Sequence, residues 1–164
     1  MASSKEWFIA SRAEDLAIVL LTRFPVTVTR ERDIHRRIDL RVIVDPEKPG
    51  LREFGVEVKG TTRIHEFVDQ HNRVRPQMLR ASMRKLEDCP FPVALMVFDV
   101  ATDTGLFGWL LAPVIQQSKT GLATSAPVLI ESATNKRIAN ALAEVREWYR
   151  ARPWRIDKAV AHQS

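Results

Sequence analysis

Residues Arg37 to Gly60 read RIDLRVIVDPEKPGLREFGVEVKG, and this stretch decides the fold. Two apolar-alternating runs flank the connector Asp45-Pro46-Glu47-Lys48-Pro49-Gly50, the pattern of two β-strands joined by a turn-rich loop and paired antiparallel. In the first run Ile38, Leu40, Val42 and Val44 point one way, and Asp39, Arg41 and Ile43 the other. In the second, Phe54, Val56 and Val58 share a face, and Glu57 and Lys59 share the opposite one. With the apolar faces on the same side, Asp39, Glu57 and Lys59 gather on the other side of adjacent strands. An alternating strand is most often a sheet with one wet face, and these groups would then be cross-strand ion pairs of little energetic weight. The surroundings decide between that reading and a site.

Upstream, Ser3 or Ser4 can cap a helix running to about Phe24 and stopped by Pro25. Ala13, Leu16, Ala17, Leu20 and Phe24 make its buried stripe, and Glu14 falls at the edge of that stripe. Ser11 to Glu14 also fits a capping box, which would require the helix to begin at Ser11. Val26 to Thr29 reads as a short strand, and residues 30 to 37 as a charged loop leading into Asp39. Its Arg36 and Arg37 fit phosphate contacts at a site's entrance, and a plain solvated loop fits them equally well.

Downstream, Gly60, Thr61 and Thr62 open an irregular polar region holding His65 and His71, which lack zinc-ligand spacing. Thr61 offers a hydroxyl to a phosphate, although a threonine at a strand end needs no such purpose. Pro76 to about Asp88 reads as a helix, with Leu79, Met83 and Leu86 as its core stripe. Arg73, Gln77, Arg80 and Arg84 fall on a second stripe, with Lys85 beside it. A polar face of one sign is unfavourable alone and favourable beside a phosphate backbone. Pro92 to Val100 is nearly continuous in apolar residues, as in a central strand covered on both faces. A hairpin loop at 101 to 105, a strand from Leu106 to Ala112, a polar loop from Ile115 to Ser125 and a short strand from Pro127 to Glu131 follow. A final helix is capped by Ser132 or Thr134 and buries Ile138, Ala141, Leu142, Val145 and Trp148 or Tyr149.

The 164 residues suffice for one domain, read as 1–154 with a basic tail at 155–164. A net charge of +5 suits a polyanionic partner. The single cysteine, Cys89, excludes an internal disulfide and reads as core filling. Lys5, Glu6, Arg12, Glu14 and Asp15 interrupt the N-terminal apolar residues, unlike a signal peptide, and no run is long enough to span a membrane. A cytoplasmic protein with no membrane partner is expected.

Asp39 followed by Glu57-Val58-Lys59 on the next strand resembles the D…(D/E)xK signature of the PD-(D/E)xK nuclease superfamily. Ile38 stands where the motif's proline would be. The order αβββαββ(β)α is similar to the superfamily core over roughly residues 5 to 112. The resemblance implies a restriction-endonuclease-like, three-layer α/β/α fold with a mixed central sheet, close to a compact bacterial branch linked with defence. It also implies metal-dependent hydrolysis of phosphodiesters, DNA above RNA, with Asp39, Glu57 and Lys59 as the catalytic residues. Asp39, Glu57, the Val58 carbonyl and Glu14 of the first helix would hold Mg2+ or Mn2+. Thr61 and the basic residues Arg36, Arg37, Arg73, Arg80 and Arg84, with Gln77, would bind nucleic acid. Gln77 also resembles a helix glutamine that some branches place near the metal. A physical reason supports the ion: two carboxylates about 5 Å apart repel by roughly 3 kcal/mol at an effective dielectric of about 20, and a divalent cation reverses that sign. The alternatives are a catalytically idle nucleic-acid-binding module of a larger defence or repair complex, and a protein-interaction domain. A homodimer is a further possibility, because one site cuts one strand.

Overall fold

The computed structural model describes residues 3–32, 38–117 and 119–152. The expected tail at 155–164 and the basic residues Arg36 and Arg37 lie outside the described residues.

Helix α1 (Ser4–Leu21) begins at a capping box: Ser3 Oγ accepts from the Glu6 N–H, and the Glu6 carboxylate accepts from the Ser3 N–H. The helix therefore starts well before Ser11. It ends at Leu21, three residues short of Phe24, with Thr22 at its C-cap. Strands β1 (Val26–Arg30), β2 (Leu40–Val44) and β3 (Glu53–Thr61) follow as an antiparallel meander. A short helix α2 (Ile64–Phe67), a 3-10 turn (Pro76–Met78) and helix α3 (Arg80–Lys85) lead to β4 (Val93–Asp99), which runs parallel to β3. Strands β5 (Thr104–Gln116), β6 (Lys119–Thr124) and β7 (Glu131–Ser132) and helix α4 (Asn135–Ala151) complete the chain. Among the described residues the sheet is seven-stranded and mixed, in the order β1-β2-β3-β4-β5-β6, with β7 on β5.

Helices cover both faces. On one, α1 and α4 pack over Leu40, Val42, Val44, Phe54, Val56, Val58, Ala94, Met96 and Phe107. On the other, Leu79 and Leu86 of the α3 segment pack with Phe67, Val74, Leu95, Val97, Leu110 and Ile130. The near-continuous apolar run of β4 is explained by this double cover. The result is an α/β fold with helical layers on either side of the sheet.

Several expectations are corrected. Ile38 does not share the face of Leu40, Val42 and Val44; it packs in the opposite layer against Gly55. The chain bends at Asp39, before β2 begins, and this breaks the two-residue alternation. The helix expected over residues 76–88 is a 3-10 turn followed by six α-helical residues, with no side-chain cap on either. Arg73 precedes both and bridges Leu129, so the stripe Arg73-Gln77-Arg80-Arg84 is not one helix face. The polar loop expected at 115–125 is the end of β5 and the whole of β6. The strand expected at 127–131 is reduced to a bridge at Leu129 and the two residues of β7, after a cis Ala126–Pro127 bond.

The far end of the sheet is closed by α4. Arg146 donates to both carboxylate oxygens of Asp45 at 2.8 and 3.0 Å, Tyr149 Oη donates to the Glu53 carbonyl, and Trp148 Nε1 to the Gly121 carbonyl. The near end is set by Gly60. A Cβ there would sit 2.7 Å from the Ile9 carbonyl oxygen and 2.9 Å from the Ala13 side chain, so α1 lies directly on the β3 backbone. Replacement of Gly60 by alanine must push α1 outward. It is expected to destabilise the protein by about 1–3 kcal/mol in a denaturant melt, the usual range for overpacking. An unchanged midpoint would show that α1 is not held this closely.

Candidate active site

Strand β3 carries the centre. Its residues Gly55, Glu57 and Lys59 face the α3 layer, while Phe54, Val56 and Val58 face α1 and α4. Pairing of β2 with β3 ends at Leu40 and Val56. One residue beyond, the chain is tied on both sides: the Asp39 N–H donates to the Val56 carbonyl at 3.0 Å, and the Asp39 carbonyl accepts from the Glu31 N–H at 2.9 Å. The Val58 N–H is then taken by a side chain, Asp39 Oδ2, at 2.7 Å. Asp39 is thus fixed by the place where the β2–β3 ladder stops, with its second oxygen uncommitted by that bond.

Glu57 is only 4% exposed. Its Oε1 receives two donors, the Lys59 ammonium at 2.9 Å and the hydroxyl of Ser82 on α3. Its Oε2 is buried and has no hydrogen-bond partner among the described residues. An unmatched buried polar atom costs about 1–3 kcal/mol, and more when it is charged. Lys59 is 37% exposed, so its ammonium stands between the buried carboxylate and solvent. Burial raises the Asp39 carboxyl above its ordinary value; the Val58 N–H opposes this, the Glu57 charge adds to it, and Lys59 and Lys85 oppose it. Glu14 is raised by burial and then by the Asp39 charge, against the pull of Arg30.

Of the residues predicted from their strand positions, Glu57 and Lys59 are in contact, and Asp39 lies one residue before β2, where the charges of both act on it. Glu14 reaches the same region electrostatically, but its carboxylate is paired 2.5 Å from Arg30, which also holds Asp15. Among the described residues, no group of three or more His, Cys, Asp or Glu side chains is assembled to hold a metal. Of the expected ligands, Asp39 accepts from the Val58 N–H, and Glu57 from Lys59 and Ser82.

The expected nucleic-acid contacts are dispersed. Thr61 Oγ1 accepts from the Arg63 N–H in a local turn. Arg73 pairs with Asp69 at 2.9 Å, and Asp69 also takes the N–H groups of His71 and Arg73. Gln77 is exposed in the 3-10 turn and is not the helix residue that meets the carboxylates. Arg80 and Arg84 border a groove of about 370 Å³ lined by Leu79, Met83, Pro127 and Val128. Lys85 is the α3 cation whose charge reaches Asp39.

Ser82 was not singled out by sequence reasoning, yet a signal existed. Leu79, Ser82, Met83 and Leu86 share one buried stripe, and Ser82 is its one polar member. A hydroxyl on such a stripe must find a partner, and here the partner is Glu57.

No protein-family model, no curated protein and no solved structure matches this chain. The class of protein rests on the fold and the centre themselves: an α/β protein with a half-satisfied buried carboxylate in the middle of β3.

Two outcomes test this geometry. Ser82→Ala removes a donor to a buried charge and should lower stability by about 1–3 kcal/mol. Asp39→Asn keeps an acceptor for the Val58 N–H and removes the charge. Because the Asp39 carboxyl is raised, its ionised form opposes folding above the ordinary value of 3.8 and is relieved as pH falls. Asp39→Asn should therefore raise the melting temperature of the metal-free protein at pH 7, with the gain shrinking as the pH is lowered towards 4. A lower melting temperature at pH 7 would contradict it.

Proposed function

We propose that the protein is a metal-dependent nuclease that hydrolyses phosphodiester bonds, preferentially in DNA, on a restriction-endonuclease-like form of the α/β fold. The observation that carries this reading is the orphaned Glu57 Oε2, buried beside a second carboxylate whose ionised form is disfavoured. Hard oxygen atoms in that state suit a divalent cation of the magnesium type. Asp39, Glu57 and the Val58 carbonyl would hold Mg2+ or Mn2+, with Glu14 acting through water. When bound, the ion supplies Lewis-acid stabilisation of the scissile phosphate and a water of lowered pKa.

The chain's own residues divide the remaining work. Ser82 and the sheet backbone hold Glu57 and Asp39 in place, so that the site needs little rearrangement during the reaction. Lys59 projects from the same face as Glu57, with its ammonium at the solvent boundary. It would orient the attacking water and, by its positive charge, lower that water's pKa. Lys85, Arg80 and Arg84 add positive charge on the α3 side, where a phosphate backbone would be drawn in.

A second reading is favoured by one observation, the Glu14–Arg30 ion pair, which occupies the acid of the first helix. In that reading the protein is a catalytically idle nucleic-acid-binding module.

The deciding experiment is incubation of the purified protein with labelled DNA and RNA, with and without Mg2+ or Mn2+. Metal-dependent cleavage is expected, lost by at least about a hundredfold in Asp39→Ala and Lys59→Ala. Cleavage that survives both substitutions rejects the assignment, and salt-sensitive binding without cleavage selects the idle module. A second readout is independent of turnover. At a hundredfold excess of metal over Kd, the wild type should gain about 2.7 kcal/mol of stability, and Asp39→Ala should gain none.

A further inference from the structure

A second cluster of charge lies away from the candidate centre, at the opposite end of β2. Asp39 precedes that strand and Asp45 follows it, so the two are up to about 20 Å apart at about 3.3 Å per residue. Between the β2–β3 connector and the last turns of α4 is a cavity of about 230 Å³. Lys48 and Arg52 line it from the connector, and Arg146 and Arg150 from α4. Asp45 is the one carboxylate among its lining residues. Four cations around a small cavity repel one another, and a single carboxylate offsets only part of that repulsion.

The walls of this cavity are fixed by the fold itself. Asp45 adopts a left-handed backbone (φ 49°), and its carbonyl accepts from the Lys48 N–H at 3.0 Å, which closes the turn carrying Lys48. Arg52 donates to the Gly50 and Pro49 carbonyls at 3.2 and 3.0 Å, so the connector holds its fork in place. Arg146 is held by both oxygens of Asp45. A guanidinium has five N–H donors, so Arg52 and Arg146 each keep three beyond these bonds. Arg150 pairs with Glu147 at 3.0 Å, but both are exposed and that pair is weak in water. The negative groups of the cavity are already committed. Asp45 is engaged by Arg146, whose hydrogen bonds hold its carboxyl below the ordinary value. Tyr149 donates its hydroxyl to the Glu53 carbonyl, and burial pushes that hydroxyl up to about 12, so it adds no charge to repel an anion.

We propose that this cavity is a second binding site, for a phosphoryl group as phosphate or diphosphate. It is separate from the candidate centre and does not rest on the nuclease reading. Planar guanidinium forks match phosphate oxygens in pairs, and forks already held in place lose little freedom on binding. The volume sets the size of the ligand. Pockets for drug-sized molecules begin at about 300 Å³, so this one takes a small anion or the phosphoryl end of a larger molecule. Because the donors come from both the β2–β3 connector and α4, a bound anion ties these two elements together. A free anion and a nucleic-acid backbone offer the same chemistry.

The test titrates sodium diphosphate by calorimetry, in EDTA and at an ionic strength fixed with chloride. It compares wild type, Lys48→Glu, Arg52→Ala, Arg52→Lys and Lys59→Ala. Wild type should bind one equivalent, and Lys59→Ala should match it, because Lys59 lies towards the other end of β3. Lys48→Glu and Arg52→Ala should each bind at least about tenfold more weakly, in line with the loss of a hydrogen bond to a charged group. Arg52→Lys should fall between, since it keeps the charge and loses the fork. Lys48 is exposed in the connector, so Lys48→Glu leaves the core intact and decides the matter even if Arg52→Ala disturbs the loop. No saturable binding by wild type overturns the proposal, as does wild-type affinity in Lys48→Glu. A loss in Lys59→Ala as large as in the cavity variants also overturns it, by placing the anion at the candidate centre. A competing short DNA duplex distinguishes the two sources. Displacement of diphosphate that weakens in Lys48→Glu assigns the site to a nucleic-acid backbone, and no displacement assigns it to a free anion.

Discussion

The constraint on which this structure turns is the burial of the Glu57 carboxylate in the middle of β3. A buried charge is tolerated only where donors converge on it. Here they come from two directions: Lys59, one pleat further along the strand, and Ser82, from the helix above. Both donors reach the same oxygen, and the other is left without one. Such a centre is poorly explained as a stabilising ion pair, because an apolar side chain of the same volume would serve the core at least as well. The unsatisfied oxygen is the feature on which the proposed cation site rests.

The layers on either side of β3 make that arrangement possible. On the α3 side, Gly55 leaves room for Ile38, so the bent chain at Asp39 can tuck its apolar neighbour beneath the sheet. The Asp39 carboxylate is then free to take the Val58 N–H. On the α1 side, Gly60 lets the helix rest on the strand, which brings the Glu14 flank to the same end of the sheet. The opposite end is devoted to holding the layers together, through the Asp45–Arg146 pair and the hydrogen bonds of Trp148 and Tyr149. That end of the sheet thus secures the fold, while the unsatisfied Glu57 oxygen lies midway along β3.

Where the local pattern was strong, the elements were legible. The alternation of Leu40-Val42-Val44 and Phe54-Val56-Val58 marks two half-buried strands, and the unbroken run from Val93 to Phe98 marks the central one. The stripe Ile138-Ala141-Leu142-Val145-Trp148 marks α4. Strand β6 escaped because Lys119 to Thr124 is an edge strand with little buried on either face, so it carries no period-two signal. The helix near Arg80 was overextended because a residue stripe says nothing about caps, and neither the 3-10 turn nor α3 has one. Ile38 was misplaced because a bend resets the parity of a strand, and Asp39 itself causes that bend to be useful by bonding across it.

By itself the sequence determined the strand pair, the shared face of Glu57 and Lys59, and the buried stripes of the terminal helices, because these follow from periodicities of 2 and 3.6 residues. The tertiary structure alone decided that Ser82, and not Gln77, meets the Glu57 carboxylate, and that Lys85 is the α3 cation felt by Asp39. It also decided that Glu14 is engaged by Arg30, and that Arg73 is engaged by Asp69. Those outcomes depend on how layers distant in the chain are set against each other. Local spacing specifies a direction for each side chain, and only packing specifies what that side chain meets.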